Sequence, residues 1–209
     1  MTPVRIGVGD GIELEGRWDR PAEPRAVVVF CHPHPQHRGT MTAPLMAAVT
    51  RELAAERLAV LRFNFRGVGA STGSWSHGHG EMDVVAAAVA HARATHPGVP
   101  LGIAGWSFGA ATSLRWMARD HDSLPWVGIA PPISSHLTPA LPRSSELSDS
   151  PRTFIIGDRD QFITVEQVEQ YAASVGGRVE ILLGSDHFFY FREDRVASLV
   201  ASGLPPEVE

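Results

Sequence analysis

The chain has 209 residues, of which 44% are hydrophobic and 20% charged. That is enough to bury one sizeable core, too little for two full domains, and incompatible with a disordered or fibrous protein. A net charge of −5 provides no basic face for a phosphate backbone, so neither nucleic acid nor anionic membrane is an expected partner and a small molecule fits better. Cys31 is the single cysteine, which excludes an internal disulfide. With no apolar run of spanning length and no signal-peptide pattern, the expectation is one cytoplasmic domain over residues 1–209.

Val4 to Trp18 alternates around Gly9-Asp10-Gly11, and an Asp-Gly pair between strand-like runs predicts a hairpin, because both residues tolerate positive φ. Unbroken β-branched or apolar runs follow: Ala26 to Cys31, Leu58 to Phe65, Leu101 to Trp106, Trp126 to Ala130, Thr153 to Gly157 and Val179 to Leu183. Runs without alternation suit strands buried on both faces. Between them Leu45, Val49 and Leu53, then Met82, Val85 and Val89, then Val168, Tyr171 and Val175 recur at helical spacing. Pro44 suits a first helical turn and Gly176-Gly177 a helix end. Strands alternating with helices predict an α/β fold whose mostly parallel sheet is covered on both faces, with ligands beyond the carboxyl ends of the strands. Pro131 to Ser150, rich in Pro and Ser and without periodicity, reads as the longest loop and too short for a folded cap.

Gly105-Trp106-Ser107-Phe108-Gly109 fits the Gly-x-Ser-x-Gly turn that lifts a nucleophilic serine clear of a sheet, and so does Gly69-Ala70-Ser71-Thr72-Gly73. The motif requires a strand running directly into a helix. Leu101 to Ala104 before Ser107, and Ala110 to Met117 after it, provide that context. Ser71 lies in a glycine- and serine-rich stretch reaching Gly80, which reads as a flexible turn.

Serine needs a neighbouring base, and the chain order of this architecture is Ser, then Asp or Glu, then His. Beyond Ser107 lie His121, at a predicted helix end, His136, which precedes any acid on a later strand, and His187. Only His187 follows a predicted strand into a loop at the carboxyl edge of the sheet. The acid belongs after Thr153 to Ile156, where Asp158 and Asp160 are both available. For the oxyanion hole, the backbone N–H after the nucleophile is that of Phe108. In the loop Cys31-His32-Pro33-His34-Pro35 the prolines cannot donate, which leaves the His34 N–H. Zinc would need a convergent third ligand that the spacing of His32, His34, His37, His77 and His79 does not identify, so no metal and no cofactor is expected.

The stretches Cys31 to Pro35 with Gly39-Thr40-Met41, Leu61 to Gly69, Gly78 to Glu81, Gly105 to Gly109, Gly157 to Asp160 and Asp186 to Phe189 together resemble the small bacterial α/β hydrolases without a large cap domain, near the dienelactone-hydrolase-like branch. The resemblance covers most of the chain. It implies carboxylesterase activity on small substrates and assigns the acid to the last residue of Gly-x-x-Asp, Asp160. One departure is Arg38, where relatives often carry a glycine. Arg66, Glu81 and Asp83 have no assigned chemistry, and an ion pair of Arg66 with a helix-start carboxylate is their plain reading. Thioesterase or amidase activity, or a non-catalytic binding role on the same fold, are the alternative readings.

Overall fold

In the computed structural model, residues 1–135 and 138–204 are described. An antiparallel hairpin opens the chain, β1 (Thr2–Gly9) and β2 (Ile12–Asp19). Its turn uses Asp10 and Gly11 at φ 48° and 74°, the left-handed conformations that the Asp-Gly pair accommodates. β2 then pairs antiparallel with β4 (Leu58–Phe63). All further pairings are parallel, among β3 (Ala26–Cys31), β4, β5 (Leu101–Trp106), β6 (Trp126–Ile129), β7 (Arg152–Gly157) and β8 (Arg178–Leu182). The sheet has eight strands in the order β1-β2-β4-β3-β5-β6-β7-β8.

Every residue of β3, β4, β6 and β7 is buried, as continuous apolar runs require when helices cover both faces. The helices are α1 (Pro44–Ala55), α2 (Gly80–Thr95), α3 (Phe108–Asp120), α4 (Val165–Ser174) and α5 (Glu193–Ser202). The crossover from β3 through α1 to β4 runs one way along the sheet, and that from β4 through α2 to β5 runs the other. Right-handed crossovers in opposite directions put α1 and α2 on opposite faces. α5 packs on α1, and α3 on α2. The direction reverses between β3 and β5, so the loops leaving these neighbouring strands diverge and open a crevice at their carboxyl ends.

Helix α5 has no counterpart among the predicted helices. It buries Val196, Ala197, Val200 and Ala201, with Glu193 and Asp194 in its first turn. Pro131 to Ser150 is irregular over its described residues apart from one 3₁₀ turn, Ser144–Glu146. It is fastened to α4 by the Tyr171 hydroxyl, which donates to the Pro142 carbonyl at 2.8 Å, and by Gln167 Nε2 donating to Ser134 Oγ at 3.2 Å. Among the described residues no helix is long and apolar enough to cross a membrane.

Candidate active site

Ser107 sits between the end of β5 and the first residue of α3, with φ 51° and ψ −117°. A non-glycine residue holds so unfavourable a backbone conformation only when its surroundings enforce it. Here they do: the Ser107 N–H donates to the Ile129 carbonyl at 2.7 Å, and the Ser107 carbonyl accepts from the N–H groups of Ala110 and Ala111. Flanking side chains are excluded. A Cβ on Gly109 would come within 2.5 Å of the His32 carbonyl oxygen, and one on Gly105 within 2.6 Å of Ala110 Cα. The two glycines therefore let α3 start immediately beside β3, and Ser107 is left half-buried above the sheet edge.

His187 and Asp160 meet at the same edge. His187 Nδ1 lies 2.7 Å from Asp160 Oδ2, and the Asp160 side chain is fully buried. A carboxylate can only accept, so Nδ1 carries the proton and Nε2 is the ring's acceptor. The other oxygen, Asp160 Oδ1, accepts the N–H groups of Phe162 and Ile163 at 2.9 and 3.1 Å. Asp158 occupies a different place: its Oδ1 accepts from the Gly184 and Ser185 N–H groups, fixing the loop that carries His187. The backbone of His187 is held as well, its carbonyl accepting from Trp106 Nε1 at 3.2 Å.

The loop after β3 turns through a 3₁₀ segment, Pro35–His37, capped by His34, whose Nδ1 accepts from the Gln36 N–H. Arg38 has φ 62°, the left-handed conformation that a glycine would adopt without cost, so the loop keeps a glycine-like shape despite the larger residue. The ring of His34 lies 5.0 Å from that of Phe108 and 4.8 Å from that of Trp75, which puts the two expected donor residues side by side. Phe108 opens α3, and the first N–H groups of a helix have no partner within it.

His32, which the sequence leaves without a role, is fully buried and ties two strand ends together. Its Nδ1 donates to the Pro33 carbonyl at 2.6 Å and its Nε2 accepts from the Phe65 N–H at 3.0 Å. Burial pushes the imidazole down to about 3, so it stays neutral. Arg62 and Asn64 fasten the same region: Arg62 pairs with Asp19 at 2.7 Å and donates to the Met41 carbonyl, and Asn64 Oδ1 accepts from the Met41 N–H.

Two expectations need correcting. Ser71 is not in a free turn. It is buried, its hydroxyl donating to the Asn64 carbonyl at 2.7 Å and accepting from the Glu15 N–H at 2.9 Å. Nor does an ion pair join Arg66 to Glu81 or Asp83 among the described residues. Buried Glu81 accepts from the Ser76 and Gly78 N–H groups and from the Ser76 hydroxyl, because the tight loop entering α2 presents those donors directly. Asp83 pairs with Arg119 at 2.6 Å. Of the other histidines considered as base, His121 caps the end of α3 in a left-handed conformation, and His136 lies outside the described residues. No group of three or more His, Cys, Asp or Glu side chains could hold a metal ion among the described residues.

Comparisons with known proteins agree with this architecture. A family model described as serine aminopeptidase, S33, matches residues 22–150. A structure of an alpha-beta serine hydrolase homologue from Coxiella burnetii is 28% identical, covers 98% of this chain and 97% of its own, and superimposes with a TM-score of 0.84. One from Xanthomonas campestris, described as an a/b serine hydrolase without lid, is 27% identical over 98% of this chain and 95% of its own, with a TM-score of 0.81. An uncharacterized protein of Rickettsia prowazekii is 26% identical over 90% of this chain and 82% of its own length. The chain belongs to the serine aminopeptidase S33 family and has the fold of the α/β serine hydrolases.

Proposed function

We propose that the protein is a serine esterase acting on small carboxylic esters through an acyl-enzyme on Ser107. The observation that carries this reading is the 2.7 Å contact of Asp160 with His187 Nδ1, which leaves Nε2 as proton acceptor at the sheet edge where Ser107 holds its unfavourable backbone conformation. In the reaction, Ser107 Oγ attacks the ester carbonyl carbon and its proton passes to His187 Nε2. The N–H groups of Phe108 and His34 stabilise the charged oxygen of the tetrahedral intermediate. On collapse the carbon–oxygen bond to the alcohol breaks, and His187 returns the proton to the departing alkoxide. Water then attacks the acyl-enzyme by the same route, giving the acid and restoring Ser107. Asp160 keeps the proton on Nδ1 and stabilises the imidazolium. No step needs a metal or cofactor.

A fluorophosphonate probe tests the nucleophile. Intact mass should rise by one phosphonyl adduct on the wild type and on Ser71→Ala, and not on Ser107→Ala. Labelling that survives in natively folded Ser107→Ala and disappears in Ser71→Ala refutes the assignment.

A further inference from the structure

The edge of the site beside His187 is built of aromatic rings that the fold leaves uncovered. Phe162 is 65% exposed, Tyr190 58% and Phe188 36%. They are not scattered. The Phe162 ring stands edge-on to the His187 ring at 4.9 Å, Phe188 stands edge-on to it at 5.6 Å, and Tyr190 stacks on Phe188 at 5.7 Å. Trp106, next to Ser107 in the chain, meets Phe188 edge-on at 6.3 Å.

The backbone beneath these rings is fixed. Asp160 holds the Phe162 N–H through the oxygen it does not offer to His187, and Asp186 Oδ1 accepts from the N–H groups of Phe188 and Phe189. Phe189, in a left-handed conformation with φ 55°, turns fully into the core, so its neighbours Phe188 and Tyr190 are turned outward. The parts of these rings left in water contribute little to folding. The rigid apolar surface they make is well formed for a ligand, since few degrees of freedom are lost on binding.

We infer that Phe162, Phe188 and Tyr190 form a subsite for an aromatic leaving group, so that the preferred substrates are esters of arylalkyl alcohols. The inference rests on the proposed esterase reading, and chemistry decides which half of the ester it concerns. The base that takes the proton of Ser107 must return it to the departing oxygen. The alcohol portion is therefore the part of the substrate beside His187, and the rings flanking His187 are its walls. Aromatic groups meet such rings edge-on or offset-stacked with a gain beyond simple area burial.

The test compares benzyl acetate with allyl acetate, which share the acyl group and a primary carbinol attached to an sp² carbon and differ mainly in the ring. The wild type should favour benzyl acetate in kcat/KM by about tenfold or more. Phe162→Ala and Phe188→Ala should each lower that ratio severalfold, and the double variant should bring it close to one. Phe188→Leu, which restores apolar bulk, should recover part of it. A ring that merely supports His187 would lower both substrates together and leave the ratio unchanged, and that result overturns the subsite, as does a wild type with no benzyl preference. Fluorophosphonate labelling of the same samples separates the two levels. An adduct on Ser107 without a benzyl preference sinks the subsite alone, whereas failure to label sinks the esterase reading and the subsite with it.

Discussion

Replacing Asp160 and Asp158 separately by asparagine distinguishes two carboxylates that stand two residues apart. Asp160 accepts three N–H groups, one from the His187 ring and two from the backbone of Phe162 and Ile163. An asparagine has one accepting oxygen, and its NH₂ group must then face a donor. If the oxygen stays with the two backbone N–H groups, the NH₂ faces His187 Nδ1 and stabilises the tautomer protonated on Nε2, which cannot take the serine proton. Loss of that tautomer in a Ser-His-Asp site costs on the order of 10³–10⁴ in kcat, or about 4–5.5 kcal/mol of transition-state stabilisation. Asp158 uses a single oxygen for both Gly184 and Ser185. Asparagine can keep both bonds and loses only their charge assistance, so kcat should fall by less than about tenfold. The assay is steady-state hydrolysis of a small ester, with far-UV circular dichroism to verify that each variant is folded. A greater loss from Asp158→Asn than from Asp160→Asn in natively folded proteins would refute the reasoning.

Two further predictions concern the loop between β3 and α1. Because burial holds His32 at about 3 against an ordinary 6.5, the unfolded chain takes up a proton between those values that the folded protein refuses. Stability is therefore lost progressively as pH falls from 6.5 toward 3, by about 1.4 kcal/mol per pH unit in mid-window. Urea unfolding at pH 4.5 and 5.5 should show a slope in His32→Gln shallower by about that amount, and equal slopes would remove His32 from the account. In Gly39→Ala, the new Cβ would meet the His34 carbonyl oxygen at 2.6 Å and the Pro33 carbonyl as well, and backbone atoms yield less easily than side-chain ends. The His34 N–H should move, lowering kcat by about 10²-fold, as for loss of one oxyanion donor; unchanged kcat in that variant excludes His34 from the role.

The sheet was legible because its central strands are written in runs of buried residues. Ala26 to Cys31 and Leu101 to Trp106 match β3 and β5 to the residue. The run Leu58 to Phe65 overshoots β4, which ends at Phe63, since apolarity alone does not reveal that the Asn64 side chain is committed to Met41 and Glu15. Helix α5 escaped because its buried stripe uses two alanines and only two valines, a weak periodic signal following the aromatic run Phe188 to Phe191. Within the candidate site, Ser107 and His187 could be singled out by motif and chain order. Spacing could not separate Asp158 from Asp160. The Asp158 N–H still donates to Leu182 of β8, whereas the Asp160 N–H closes a turn onto Gly157, and that turn swings the second carboxylate toward His187. The partners of Ser71 and Glu81 were hidden for a related reason. Glu15 lies 56 residues from Ser71, and the donors around Glu81 exist only once its loop has closed.

The tethers of His187 indicate how the candidate site can be kept in order. Its carbonyl is held by Trp106, the residue before Ser107, and its ring by Asp160 after β7. Asp158 pins Gly184 and Ser185, three and two residues ahead of His187. All three tethers start from the carboxyl ends of β5 and β7, and these strands flank β6 in one hydrogen-bonded sheet. His187 is thereby referenced to the same strand end that carries Ser107. A displacement of β5 would carry the serine and pull on the histidine together, preserving their relation better than a tether to a surface loop could. In the proposed esterase, such tethers would fix the position of His187 before any substrate arrives, as catalysis that depends on sub-ångström placement of its groups requires.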